Sequence, residues 1–380
     1  MKALLFFIFV VGIVAGNDLK EYINSNLQFS GDLYEQHSSK ITGNFLICPY
    51  SAQTVLALAA MGAKGNTAKQ LSAALRLPND HKKLQNTFQT LSSETEIKNQ
   101  YQLARANKIY LNKEIQIFQD FETVAENTFK SEITNIDFTN EKNAIKEINA
   151  WVENSTYNKI KNLMSEGSIK PETAAIIINT LYFHGLWVDP FGADSDTAFY
   201  VSKTETIDTK MMSQRNFFNY HDDNNLNAQF LEVPFKGDDV VMTFVLPKEV
   251  DGLASLEKCI PSVLAFQSYG KVDVEVSLPK FTIESKINIK TLMQDLGAKE
   301  AFTLSADFKG ISDTPLYISD VIQKTFIEIN EKGATAAAAT EATLMPNSMP
   351  TAYFTADHPF IYYLRHKVYG VLFVGRFASP

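Results

Sequence analysis

The 380-residue sequence predicts an α+β fold in one cooperative domain. Three observations carry that expectation. Helix-spaced apolar positions dominate up to about residue 160. Strand-like alternation and continuous apolar runs dominate after residue 173. No Gly/Ser/Pro-rich linker divides the two parts, and no internal repeat recurs. Composition agrees: 45% of residues are hydrophobic, 21% are charged, and 35 Lys+Arg against 43 Asp+Glu give a net charge of −8. These values exclude collagen-like and disordered classes. The acidic balance argues against a nucleic-acid partner, which requires a basic surface. Two cysteines exclude a disulfide scaffold.

Taken in order, the chain opens with Met1-Lys2 and an apolar run over 3–15, followed by small residues at Val14-Ala15-Gly16. The run is short of the ~20 residues a bilayer-spanning helix needs, so residues 1–16 read as a secretory signal peptide rather than an anchor. The domain would then be 17–380, secreted and extracellular, with no membrane attachment. Residues 18–94 read mainly as helix. Val55, Leu58 and Ala59 share one face of a segment over 53–61, and Asn66-Thr67 is expected to cap a helix over 68–76. Strands are predicted at 102–112 and 133–138, with amphipathic helices at 119–131 and 142–160. Residues 174–183 are nearly all apolar, as in a strand buried on both faces. Residues 272–278 alternate strictly, as in a half-buried strand. A short helix over 289–296 is ended by Gly297. Further strands are expected at 320–331, 359–365 and 369–377. Cys48 and Cys259 read as two free thiols. Asn154-Ser155-Thr156 is the sole glycosylation sequon with no proline in its middle, so Asn154 is a candidate glycan site.

The chemistry-bearing motifs of enzymes are missing. The six histidines make no metal-binding H-x-x-x-H, and neither a G-x-S-x-G elbow nor a phosphate-binding glycine loop occurs. His221-Asp222-Asp223 reads as a polar turn between strands rather than a metal site. The sequence therefore predicts no enzyme, no cofactor and no metal.

One segment stands out. Glu331-Lys332-Gly333 leads into ATAAAATEAT at 334–343 and LMPNSMP at 344–350. Read with period two, Ala334, Ala336, Ala338, Thr340, Ala342 and Leu344 share one face, and the single charge, Glu341, falls on the other. Such a segment can enter a sheet without burying a charge. Composition alone favours a surface loop of small residues, neutral as to function.

Motifs spread over the whole chain bear on that choice. Residues 44–51 (NFLICPYS), 62–67 (GAKGNT), 179–191 (NTLYFHGLWVDPF), 278–281 (LPKF), 307–310 (DFKG), 357–360 (DHPF) and 373–376 (FVGR) occur in the order found in serpins. The chain resembles that family, and the insect members most. Cys48 replaces the usual first serine of the first motif. The resemblance implies a serpin fold of about nine helices around three β-sheets, with an exposed reactive-centre loop at about 333–350. It implies a one-shot inhibitor. A serine protease attacks the loop, forms an acyl-enzyme, and is trapped in a covalent 1:1 complex when the cleaved loop inserts into the central sheet.

The resemblance also implies residue roles. Glu331, Gly333, Ala334, Ala336 and Ala338 form the hinge. Lys280 pairs with Glu331, and Trp187 marks where the loop first enters. Ser51 and Asn179 belong to a polar cluster under the sheet, where Gln323 stands in place of the family's histidine. Counting from Gly333 places the cleaved bond at Asn347–Ser348, with Leu344–Met345 as the rival. Cleavage after Met345 or Met349 would place Pro346 or Pro350 on the leaving side. No Lys or Arg lies between 333 and 364, so uncharged-site proteases, chymotrypsin-like or elastase-like, are the expected targets. An asparagine-directed cysteine protease, or a non-inhibitory secreted carrier of the same fold, is the alternative. A heparin-type polysaccharide has little to bind: the relevant helix offers Lys82 and Lys83 beside Asp80 and Glu94. A monomer is expected.

Overall fold

A computed structural model describes residues 17–78, 80–93, 101–192, 195–333 and 349–380. The segment read as a signal peptide lies outside them. The first part holds α1 (Asn17–Ser38), β1 (Phe45–Ile47), α2 (Pro49–Gly62), α3 (Gly65–Ala74) and α4 (His81–Ser93). Next come β2 (Tyr101–Asn112), α5 (Gln119–Asn127), β3 (Glu132–Ile136), α6 (Glu141–Ser155) and β4 (Ala175–Gly185). Then follow β5 (Ser195–Ser202), β6 (Glu205–Asp223), β7 (Ala228–Pro234), β8 (Val240–Pro247), α7 (Leu253–Leu256) and α8 (Ile260–Leu264). The chain closes with β9 (Gly270–Pro279), β10 (Phe281–Asn288), α9 (Ile289–Asp295), β11 (Asp320–Ile329), β12 (Ala352–Thr355), β13 (Phe360–His366) and β14 (Gly370–Phe377).

The α+β expectation holds, and several boundaries move for identifiable reasons. Pro49 starts α2 earlier than expected, since a first-turn proline loses no hydrogen bond. This helix is buried on nearly every side, so it has no single apolar face. Asn66 and Thr67 do not cap α3. The helix begins at Gly65, and both side chains bond Glu300 instead, Thr67 Oγ1 at 2.7 Å from its carboxylate. Helix α6 stops at Ser155 rather than 160, because Tyr157 and Asn158 take left-handed φ values of 51° and 60°. Helix α5 likewise ends at Asn127, and β11 at Ile329. His221–Asp223 end strand β6 and are not a turn.

The strands form two hydrogen-bonded networks. A five-stranded sheet runs β10-β11-β4-β2-β3. A nine-stranded one runs β1-β14-β13-β8-β7-β6-β9-β12, with β5 attached to β6. The three sheets implied by resemblance appear as two networks because the 19-residue β6 pairs with β5, β7 and β9 in turn. The main core fills the space between the sheets and α2. A second core packs α6 onto the other face of the five-stranded sheet, through Ile148 and Val152 against Tyr110, Ile176, Ile178 and Ile322.

Candidate functional site: a seam and the hinge at its mouth

In the five-stranded sheet, β4 and β11 run parallel, from Asp320 opposite Ile176 to Phe326 opposite Tyr182. The Ala175–Phe183 stretch is buried throughout, as its near-continuous apolar sequence requires of a central parallel strand. Both neighbours of this seam are antiparallel: β2 pairs with β4, and β10 with β11.

Halfway along the seam its underside is polar. Gln323 lies directly opposite Asn179, and Asn179 opposite Asn107. The Gln323 amide donates to Asn179 Oδ1 at 2.6 Å and to the Cys48 carbonyl at 2.8 Å, while its oxygen accepts from the Cys48 N–H at 2.8 Å. Asn179 donates to Asn107 Oδ1 at 2.6 Å and to Ser51 Oγ, and Ser51 donates to Asn107 Oδ1 at 2.9 Å. Ser51, Asn179 and Gln323 are completely buried. The network joins β2, β4 and β11 to the start of α2. Opening the seam there breaks the Gln323–Asn179 bond. The structure thus brings Ser51, Asn179 and Gln323 together, and adds Asn107. That residue was legible in principle: asparagine is depleted inside strands, and it interrupts the run over 102–112.

At the top the seam parts. Cross-strand pairing ends at Phe326 and Tyr182, although β11 continues to Ile329 and β4 to Gly185. Residues 330–333 then form a tight turn, closed by Asn330 N–H to the Gly333 carbonyl at 3.0 Å and the reverse bond at 3.1 Å. The turn is fixed to the chain beyond β4. Trp187 N–H donates to the Lys332 carbonyl at 3.0 Å, Phe191 N–H to the Glu331 carbonyl at 2.7 Å, and the Trp187 indole to the Asn330 carbonyl at 2.9 Å. Trp187 is itself buried and stacks on Phe235 with ring centres 4.1 Å apart. Lys280 Nζ reaches Glu331 Oε1 at 2.9 Å, with both side chains part-exposed.

Gly333 bridges to Leu186, one residue past β4, at a φ of 124°. A Cβ there would fall 2.2 Å from the Gly185 carbonyl oxygen and 2.8 Å from Leu186 Cα, so only glycine fits. The turn carrying Gly333 therefore sits at the mouth of the seam. Ala334, Ala336, Ala338, Leu344, Met345, Asn347 and Ser348 lie outside the described residues. The chain resumes at Met349, and Thr351 N–H donates to the Asp273 carbonyl at 2.9 Å, leading into β12.

The remaining candidates are peripheral. Neither cysteine is in a disulfide; Cys48 is buried and Cys259 exposed. Asn154 is exposed in the last turn of α6. Lys83 is paired with Glu21 at 2.5 Å and Asp18 at 3.7 Å, so its charge is already met. No group of His, Cys, Asp and Glu suited to a metal occurs among the described residues.

Comparison with known proteins identifies this architecture. The sequence model of the serpin family, described as serine protease inhibitor, matches residues 24–380. The chain is 34% identical over 374 residues to an antitrypsin of Bombyx mori, covering 95% of each protein. It is equally 34% identical to a leukocyte elastase inhibitor of Xenopus tropicalis, over 93% of this chain and 97% of that one. A crystal structure of a highly specific serpin from the insect Tenebrio molitor superposes with a TM-score of 0.89 at 35% identity, covering 95% of this chain and 98% of that one. The chain belongs to the serpin family.

Proposed function

We propose that this serpin is a secreted inhibitor that traps serine proteases by inserting its cleaved reactive loop into the β4–β11 seam. The protease serine attacks the Asn347 carbonyl, the Ser348 amine leaves, and the protease stays esterified to Asn347. The freed segment 334–347 then enters the seam behind the anchored Gly333, drawing the protease with it. One observation carries this reading. A parallel seam, already unpaired at its top, has the base of an alanine-rich segment bonded at its mouth.

The energetics favour insertion. Parting the seam costs the bonds between seven residue pairs. An inserted strand restores a ladder on both sides, for a net gain of one ladder. At about 1 kcal/mol per hydrogen bond, plus burial of apolar surface, the gain is on the order of 10 kcal/mol. The intact form is then held kinetically rather than by equilibrium. The side chains at even positions of 334–347 are alanine, threonine, Leu344 and Pro346, none of them charged, which keeps insertion fast relative to ester hydrolysis. Inhibitor names among the relatives point the same way.

The absence of Lys and Arg from 334–364 directs the choice toward chymotrypsin-like or elastase-like proteases, with trypsin a poor target. Secretion follows from the apolar segment 3–15, and the exposed Asn154 would carry a glycan. The test is incubation with chymotrypsin, elastase and trypsin, followed by denaturing electrophoresis and intact-mass analysis. The expected result is a denaturant-stable complex with one of the first two and a released C-terminal fragment beginning at Ser348. A fragment beginning elsewhere would move the register. Cleavage by every protease without any complex would favour a non-inhibitory role.

A further inference from the structure

We infer that Asn154 accepts a glycan only while the chain is unfolded, because closing the turn that ends α6 withdraws the hydroxyl a glycosyl transferase must grip. This rests on the secretion reading above and adds the gate and the timing of that modification.

Exposure of the asparagine is deceptive. Asn154 faces solvent in the last turn of α6. Thr156, which completes the sequon, is completely buried. Its Oγ1 donates to the Val152 carbonyl at 2.7 Å and accepts from the Ile160 N–H at 3.2 Å. One hydroxyl therefore closes both the helix end and the turn beyond it. The main chain around it is bonded as well. Thr156 N–H donates to the Val152 carbonyl at 3.1 Å, Asn158 N–H to the Glu153 carbonyl at 2.8 Å, and Lys159 N–H to the Thr156 carbonyl at 2.9 Å. On either side, Val152 and Ile160 are buried in the second core with Leu163 and Met164. A sequon ordinarily lies on an open surface loop; this one is folded into a helix end.

The chemistry sets what must be free. Transfer joins Asn154 Nδ2 to the anomeric carbon of a lipid-pyrophosphate-linked oligosaccharide. The bond from that carbon to the pyrophosphate oxygen breaks, the lipid pyrophosphate leaves with the electron pair, and one amide proton passes to a base. An amide nitrogen is a weak nucleophile, and the hydroxyl two residues on is part of what the enzyme binds. A threonine hydroxyl has a single proton to donate, and that of Thr156 is already spent on Val152. To turn it outward, the last turn of α6 must unwind and Ile160 must leave its core. That is the opening of a buried turn, not the fraying of a loose end. The bonds broken on the way lie away from water, which sets the opening against a steep cost. The folded protein is therefore refractory although Asn154 is exposed, and a molecule that folds before transfer keeps a bare Asn154.

The experiment presents the full chain, made in bacteria and so unglycosylated, to purified oligosaccharyl transferase with a lipid-linked oligosaccharide. One sample is native; a second is diluted from urea straight into the reaction. Product at Asn154, read by peptide mass, should be lower in the native sample by about tenfold or more. Ile160→Ala loosens the turn and leaves the sequon intact, so it should raise the native product about threefold. Val263→Ala, at an equally buried position in the main core, should change it less than about twofold. Equal product from native and urea-diluted chain would overturn the gate. An Ile160→Ala variant no more reactive than the Val263→Ala control would overturn the turn as its location. Product from neither sample would overturn Asn154 as an acceptor, and the proposal with it. Import of the chain into microsomes, with loss of residues 1–16, tests secretion separately: failure there sinks that reading while the purified enzyme still reads the gate.

Discussion

Gln323 bonds across the seam from β11 to the Asn179 side chain on β4. Its amide satisfies the N–H and C=O of Cys48 and the carbonyl of Asn179 at once, with no exposure to water. Replacing it by alanine leaves buried groups without that partner, a loss of roughly 3 kcal/mol. The melting midpoint of the intact protein should drop by on the order of 5 °C. The loop-cleaved form should drop less, because an inserted strand already separates Gln323 from Asn179. Calorimetry on both forms checks this, and equal drops would contradict it. His37 supplies a pH effect. Burial, and then the charges of Arg376 and Lys40, push its pKa from 6.5 down to about 4. The folded state keeps the imidazole neutral while the unfolded chain takes up a proton near 6.5. Stability present above pH 6.5 is therefore lost as pH falls toward 4. A His37→Gln variant should show a flatter midpoint-against-pH curve across that window. An unchanged slope would assign the acid sensitivity elsewhere.

Among the elements, the turn at 330–333 is the most exacting. Gly333 is enforced by both a positive φ and the nearness of the Gly185 carbonyl. Gly333→Val should unseat the turn, delay insertion and raise several-fold the inhibitor consumed per protease, while loop cleavage continues. Ala334→Arg should abolish complexes altogether, since a cation would have to enter the sheet with the first inserted residue. Stoichiometric titration separates these outcomes from simple unfolding, and persistent complexes in the arginine variant would refute the assigned face. The Lys280–Glu331 bridge, by contrast, is part-exposed and contributes under ~1 kcal/mol. How much of this was readable in sequence differs by element. Strand β4 announced itself through its apolar run, and β9 through strict alternation. Ser51, Asn179 and Gln323 were legible through motif positions, but Asn107 joins them only through strand register. The stop of α6 was hidden because left-handed Tyr157 and Asn158 carry no glycine to signal it. The cap of α3 was misread because Glu300, 233 residues from Thr67, competes for the same side chains.

At the scale of the whole molecule, the seam between β4 and β11 runs through cores that residues of both strands share. Helix α6 shares its core with β2, β3 and β4, and reaches β11 mainly through Ile322 and Phe326. The segment after α6 adds polar contacts to β11, Lys324 Nζ to the Lys161 carbonyl and Lys159 to Glu328 at 3.9 Å. On the proposed mechanism the sheet parts along this one line to accept a strand. On the proposed trapping mechanism, the best-paired state of the sheet would be reached only once the loop is cut, and the intact chain would hold that energy in reserve. Thermal melting before and after nicking between residues 340 and 350 tests this most directly. The account predicts a rise on the order of tens of degrees after the cut, as the loop completes the sheet. An unchanged midpoint in demonstrably cleaved protein would contradict it.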